Sequence, residues 1–242
     1  KLYDRNPLYT LLVDKIEVKN YVAKIIGEEY IIPTLGAWDD PEDIDFDMLP
    51  NQFVLKCNHN SGLGMYICKD KTKIKIKKIK KALTKGLKED KYLLGREWPY
   101  KNVKHRILAE KYMEDNTSQD LKDYKFFAFD GKVKALFIAT ERQEATETKF
   151  DFFDEEYRHL ELINGHPNAS VTPQKPLNFE KMKELAGKLS EGIPHVRVDF
   201  YEVNGKIYFG ELTFSHWSGF VPFEPDEWDK TFGDWIKLPN SV

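Results

Sequence analysis

Residues 195–219 read HVRVDFYEVNGKIYFGELTFSHWSG. Two β-rich runs flank Asn204-Gly205, the strongest short-range hairpin signal. Four side chains are too polar for a plain strand pair: Arg197 and Asp199 before the turn, Glu211 and Thr213 after it. Side chains alternate faces with period two, so each pair shares a face. Whether the two pairs share one face depends on register. A strict two-residue loop sets Asp199 against Gly210 and turns Glu211 to the other side. One extra loop residue, with Gly in the left-handed region, sets Asp199 against Glu211 and Arg197 against Thr213. The second register is expected, because it leaves Val198, Phe200 and Leu212 on an apolar face. Two carboxylates placed opposite each other repel. Either the acids and the arginine pair among themselves, or a hard divalent cation such as Mg²⁺ joins them, its shell completed by water and phosphates.

The bulk composition narrows the class. The chain has 242 residues, 41% hydrophobic and 14% aromatic, enough for one large or two small domains with a real core. The net charge of −3 argues against a dedicated nucleic-acid binder. Cys57 and Cys68 show neither a disulfide framework nor a zinc spacing, and read as buried thiols in a reducing compartment. No apolar run approaches the roughly 18 residues of a membrane span, and no signal peptide is visible. The chain begins at Lys1 without methionine, which leaves open a trimmed segment or leader.

Upstream, residues 8–26 read as one helix with Pro7 at its start, Lys15 within it and Gly27 at its end. Residues 31–35 form a short edge or irregular strand around Pro33. Residues 39–51 are an acidic loop or short helix. Phe53–Cys57 and Met65–Cys68 read as strands joined by NHNSGLGM, a small-residue loop suited to cradle phosphate or to form an ordinary hairpin. It is not a Walker A loop. Residues 71–91 form a lysine-rich amphipathic helix with Ile74, Ile76, Ile79, Leu83 and Leu87 inward; its charge reads as a solvated face. Residues 96–106 are a loop.

Residues 107–113 (ILAEKYM) form a strand that a polar pair, Glu110-Lys111, interrupts without evident reason. Asp123–Phe129 and Lys132–Thr140 make a hairpin around Asp130-Gly131, and 150–153 another strand. Residues 154–177 are a long loop containing Asn164, Gly165, His166, Pro167 and Asn168. Asn178 caps a helix over 179–191. The tail carries Trp228, Trp235 and a short helix started by Pro225-Asp226.

These polar interruptions resemble the ATP-grasp superfamily, most closely its TupA-like branch, associated with polysaccharide and teichuronopeptide biosynthesis. DKIEVKNYVAKIIGEEYIIP resembles the family's entry, FVLKCNHNSGLGM its phosphate flap, ILAEKYM its adenine hinge and HVRVDF…GELT its metal-binding end. The resemblance runs from about Lys1 to Leu238. It implies an α+β ATP-grasp fold, two lobes clasping ATP between antiparallel sheets. Residues 1–50 would be a shortened pre-grasp segment, 51–113 the small lobe and 114–242 the large lobe. Lys15 and Lys56 would hold the α/β-phosphates, and Ser61, Gly62, Gly64 and Met65 would close over them. Glu110 would accept from the adenine amino group, with the backbone of Lys111 and Tyr112 along the ring edge. Asp123 would bind ribose. Asp199, Glu211 and Thr213 would hold Mg²⁺, and Lys125, Arg142 and Arg197 would neutralise the transferred phosphoryl group. Thr213 stands where the family usually has Asn.

The activity so implied is ATP-dependent ligation of a carboxylate to an amine through an acyl phosphate, in the cytoplasm. The substrates suggested by kinship are an amino acid and a uronic-acid glycan. Two alternatives remain on the residues alone: an ATP-dependent phosphotransferase acting on a sugar on the same fold, and a non-catalytic binding module of polysaccharide assembly. Specificity would reside in residues 143–177 and in His216-Trp217, with Trp217 stacking on a sugar or lying in the core.

Overall fold

The computed structural model describes residues 3–116, 121–141 and 147–238. Its helices are α1 (Leu8–Val13), α2 (Glu17–Ile26), α3 (Ile76–Leu87), α4 (Lys91–Gly95), α5 (Phe179–Ser190) and α6 (Glu227–Trp235). Its strands are β1 (Thr34–Trp38), β2 (Phe53–Cys57), β3 (Tyr66–Cys68), β4 (Ile107–Lys111), β5 (Asp123–Phe129), β6 (Lys132–Thr140), β7 (Lys149–Asp154), β8 (His159–Leu160), β9 (Val196–Val203) and β10 (Lys206–Thr213). The chain divides into two compact units, residues 1–21 with 31–113, and residues 22–30 with 114–242.

The first unit carries an antiparallel sheet in the order β1-β4-β2-β3. Phe53, Leu55, Ile107 and Ala109 pack with Ile79 and Leu83 of α3 and with Ile44, Phe46 and Leu49. The acidic 39–51 stretch is thus more than a solvated loop: its apolar residues close one side of this core. Ile79 and Leu83 are one helical turn apart, which brings them to one face. Ile76, expected inward, is the first residue of the helix and stays exposed.

The expected single helix over 8–26 is two helices. Asp14 leaves the helical region (φ −74°, ψ 111°) and its Oδ1 accepts from Ile16 N at 2.8 Å and Glu17 N at 3.4 Å. An aspartate that satisfies the free N–H groups of the next helix competes with continuation of its own. The result places Lys15 in a break rather than on a helix face.

The second unit is built on a six-stranded antiparallel sheet, β10-β9-β5-β6-β7-β8. One face packs on α5, where Phe126 meets Phe179 and Phe200 at ring distances of 6.1 Å. The other face is divided. Phe127, Phe137, Phe150 and Phe152 form an aromatic half with Phe232 of α6. Asp123, Lys125, Arg197 and Asp199 form a buried polar half. Asn178 does not cap α5 with its side chain; it donates to Glu202 and to Gly205 O, which ties the helix start to the β9–β10 turn.

The β9–β10 register is the one expected, but a different device produces it. The loop is the strict two-residue Asn204-Gly205, with Val203 paired to Lys206 and φ of 50° and 74° at the two turn residues. The frame then shifts between Phe209 and Glu211, so that Asp199 pairs with Glu211 and Arg197 with Thr213. Gly210 is the inserted residue of a β-bulge. A Cβ there would lie 3.1 Å from Asp199 O and 3.2 Å from the Tyr201 ring. Gly210→Val is expected to lower stability by about 1–3 kcal/mol through this crowding, read as a drop in thermal midpoint by calorimetry; an unchanged midpoint would show that the bulge tolerates a branched side chain.

Candidate active site

In the first unit, the loop after β2 is rooted by buried polar residues. Asn58 Oδ1 accepts from Arg106 N at 2.8 Å. His59 stacks on His105 at 3.6 Å, and burial pushes its imidazole down to about 4. Asn60 Nδ2 donates to Leu63 O (3.0 Å) and Gly86 O (3.2 Å), and Lys15 Nζ donates to Asn60 O at 2.8 Å. Lys15 therefore stands at the root of the flap. Ser61, Gly62 and Met65 are exposed along it. Gly64 (φ +83°) lies against α3, where a Cβ would come within 2.9 Å of Ala82 O. Gly86 answers it: a Cβ there would meet Leu63 O at 2.5 Å.

Glu110 explains the polar interruption of β4. Its carboxylate is buried and held by two lysines, Lys19 Nζ at 2.6 Å and Lys56 Nζ at 2.5 Å. Burial alone would raise its pKa, but Lys56 and Lys19 outweigh that and hold it below the usual glutamate range. Both oxygens are thus engaged within the chain, where an adenine amino group was expected as partner. Lys19 also donates to Ile32 O and Thr34 Oγ1. Lys19 lies four residues beyond Lys15 in the entry motif, and no local signal marks it as a partner of Glu110. Lys111 N donates to Pro33 O at 3.0 Å, so that N–H is already spent. Tyr112 is half-buried, with Lys69 Nζ 5.9 Å from its ring centroid.

In the second unit, β5, β9 and β10 align one polar face. Lys125 Nζ contacts Asp123 Oδ2 at 2.7 Å and also Asp199 Oδ2. Arg197 forks onto Asp199, Nε to Oδ1 and Nη2 to Oδ2, both at 2.7 Å. Its Nη2 also reaches Glu211 Oε1 at 3.1 Å and Thr213 Oγ1 at 3.0 Å. Burial opposes the charge of Arg197, yet Asp199, Glu211 and Asp123 outweigh it and raise its pKa. Burial pushes the Asp199 carboxyl up, and Arg197 and Lys125 offset only part of that rise.

Three carboxylates and two cations leave this face with an excess negative charge. That suits a further cation. Asp199, Glu211 and the Thr213 hydroxyl are all oxygen donors of the kind Mg²⁺ takes. Among the described residues no group of three or more His, Cys, Asp or Glu gathers to hold a metal alone, so phosphate oxygens and water would complete the shell. Asp123, expected to bind ribose, is buried against Lys125. Arg142 lies outside the described residues.

His216 and Trp217 separate. His216 Nδ1 accepts from Arg197 Nη1 at 2.8 Å. Trp217 is 40% exposed, with Gly165 under its ring and Phe150 stacked at 6.2 Å. Asn164 and Asn168 of the long loop are structural: they donate to Val221 O and Pro222 O, and to Phe150 O and Leu162 O.

The TupA-like ATP-grasp family profile matches residues 1–237. The chain belongs to the TupA-like ATP-grasp family. No curated protein sequence matches it. Among solved structures it resembles the ATP-grasp ligase PsnB complexed with a phosphomimetic variant of its minimal precursor, Mg and ADP. That match has a TM-score of 0.52 and 10% identity, over 96% of this chain and 61% of that one. It also resembles D-alanine–D-alanine ligase from Bacillus anthracis, with a TM-score of 0.50 and 16% identity, over 92% of this chain and 63% of that one. The chain thus spans less than two thirds of either structure, and the likeness is one of fold. No helix among the described residues is long and apolar enough to cross a membrane.

Two outcomes test the first-unit cluster. Gly86→Ala is expected to lift the flap from α3, seen as faster amide exchange at residues 60–65; unchanged exchange would dissociate the two elements. Glu110→Gln removes a depressed carboxyl between two lysines. The stability that Glu110 contributes is complete above its unfolded value, about 4.3, and fades as pH falls through the lower folded value. Urea titrations should give a wild-type advantage of about 3–5 kcal/mol near neutrality. The advantage should shrink below pH 4; a gap that does not change with pH would dismiss the ion pairs as its source.

Proposed function

We propose that this chain is an ATP-dependent ligase joining a carboxylate to an amine through an acyl phosphate. The observation that carries the reading is the face formed by Asp123, Lys125, Arg197, Asp199, Glu211 and Thr213, in a member of the TupA-like ATP-grasp family. Residues 51–113 are read as the small lobe and 114–242 as the large one.

In the first step a substrate carboxylate oxygen bonds to the γ-phosphorus of ATP, and the bond to the β–γ bridging oxygen breaks to release ADP. In the second, an amine nitrogen bonds to the acyl carbon, phosphate leaves with the electrons of the C–O bond, and the nitrogen gives up a proton. Little of this needs covalent help from protein; it needs positioning and charge neutralisation. Lys15 and Lys56 are assigned to the α/β-phosphates, and Ser61, Gly62, Gly64 and Met65 to the cover over them. Glu110 orients Lys56 as well as facing the adenine, with Lys111 and Tyr112 beside the ring and Asp123 toward the ribose. Lys125, Arg142 and Arg197 offset the charge on the transferred group, each worth on the order of 3 kcal/mol in the transition state by analogy with other electrostatic donors. Asp199, Glu211 and Thr213 would hold Mg²⁺, which would supply positive charge to polarise phosphate oxygens. Kinship with the TupA-like branch supports an amino acid and a uronic-acid glycan as the joined substrates.

Isothermal calorimetry with a non-hydrolysable ATP analogue should show Mg²⁺-dependent binding that Lys56→Ala abolishes. Asp199→Asn and Glu211→Gln should each eliminate phosphate release in the presence of carboxylate and amine while the circular dichroism stays native. Full turnover in either variant would remove the metal assignment. Absence of nucleotide binding at millimolar concentration would leave a non-catalytic module.

A further inference from the structure

His216 joins the two halves of the divided sheet face through both its ring and its Nδ1. Its ring lies edge-on to Phe127 at 5.4 Å and tilted to Phe137 at 5.1 Å, on the aromatic side. Its Nδ1 meets Arg197 Nη1 at 2.8 Å, on the charged side. The guanidinium can only donate, so Nδ1 accepts and the ring proton sits on Nε2. Nε2 is buried and has no hydrogen-bond partner among the described residues. The hydrogen bonding of the ring is therefore directed at Arg197.

Asp199 holds Nε and Nη2 of the guanidinium, and Glu211 and Thr213 also engage Nη2. The Phe137 ring lies 5.7 Å from its centre. His216 meets the remaining nitrogen, Nη1, which none of these contacts reaches. The backbone supports this contact. Trp217 and Ser218, immediately after His216, both adopt left-handed conformations (φ 50° and 55°). For a tryptophan this is a rare and strained state. The tight turn is closed by Ser218 N on Ser215 O and Phe220 N on Trp217 O.

We propose that His216 is a positioning residue: through Nδ1 it fixes the plane of the Arg197 guanidinium and so aims it at the terminal phosphoryl group of the bound nucleotide. The proposal rests on the ligase reading for the role of Arg197. Its own content is the acceptor on Nη1, which nothing in the family resemblance supplies.

The test compares wild type, His216→Leu and His216→Asn by calorimetry with the Mg²⁺ complexes of ADP and of a non-hydrolysable ATP analogue. Leucine removes the acceptor; the Asn side-chain oxygen returns one near the Nδ1 position. His216→Leu should weaken the triphosphate analogue about tenfold to a hundredfold, the scale of a hydrogen bond to a charged group. ADP binding should change by less than about twofold, on the same energy scale. His216→Asn should recover most of the loss. Equal losses for both nucleotides, no loss, or no recovery with asparagine would overturn the proposal. A wild-type protein that binds neither nucleotide would fail the ligase reading instead. Two-bond ¹H–¹⁵N spectra of the imidazoles then judge the geometry without any ligand. A proton on Nε2 upholds the Arg197 contact, and a proton on Nδ1 rules it out.

Discussion

The arrangement of the second unit depends on keeping a charged network buried on a sheet face that is otherwise aromatic. Removing Arg197 or Asp199 from water is costly, and only close pairing makes it tolerable. The chain meets this by placing donors and acceptors on three adjacent strands, with Arg197 reaching along β9 to Asp199 and across to Glu211. Lys125 is opposite Asp199 on β9, and Asp199 is opposite Glu211 on β10. Such a network is stable only in one register. The apolar packing of Phe126, Val198, Phe200 and Leu212 on the other face therefore selects the site as well as the core.

The first unit solves a smaller version of the same problem. Glu110 occupies a central strand, where a lone carboxylate would be expelled or neutralised. Two lysines from different elements, Lys19 on α2 and Lys56 on β2, converge on it. Each lysine is thereby held in place by a carboxylate that is itself fixed by the sheet. Long flexible ammonium side chains lose much rotamer freedom when they are bound this way. That ordering cost is met in folding instead of at the moment a ligand arrives.

Much of this was legible in the sequence because it is written in period two. Alternation in 196–203 and 206–213 exposed the shared face, and Asn204-Gly205 located the turn. The hairpin at Asp130-Gly131 was equally open to reading. What escaped was tertiary. Nothing local marks Gly210 as a bulge instead of an ordinary strand glycine, since the signal is the closeness of Asp199 O across the ladder. Asp14 looked like a helix residue until its carboxylate was seen capping α2. Lys19 had no distinguishing neighbour in sequence, because its partner lies ninety-one residues away at Glu110. His216 invited a surface role beside Trp217, and only the fold turns it inward to Arg197.

The bulge at Gly210 gives the hairpin two reading frames. From the turn to Phe209 the strands are in the phase set by Asn204-Gly205; beyond Gly210 they are in the phase set by the charges. A ladder kept in the phase of the turn would set Asp199 against Gly210 and turn Glu211 toward the opposite face. With the frame reset midway, the tip and the charged end answer to separate constraints. The turn and the charged end thus keep different phases, spliced at a single glycine.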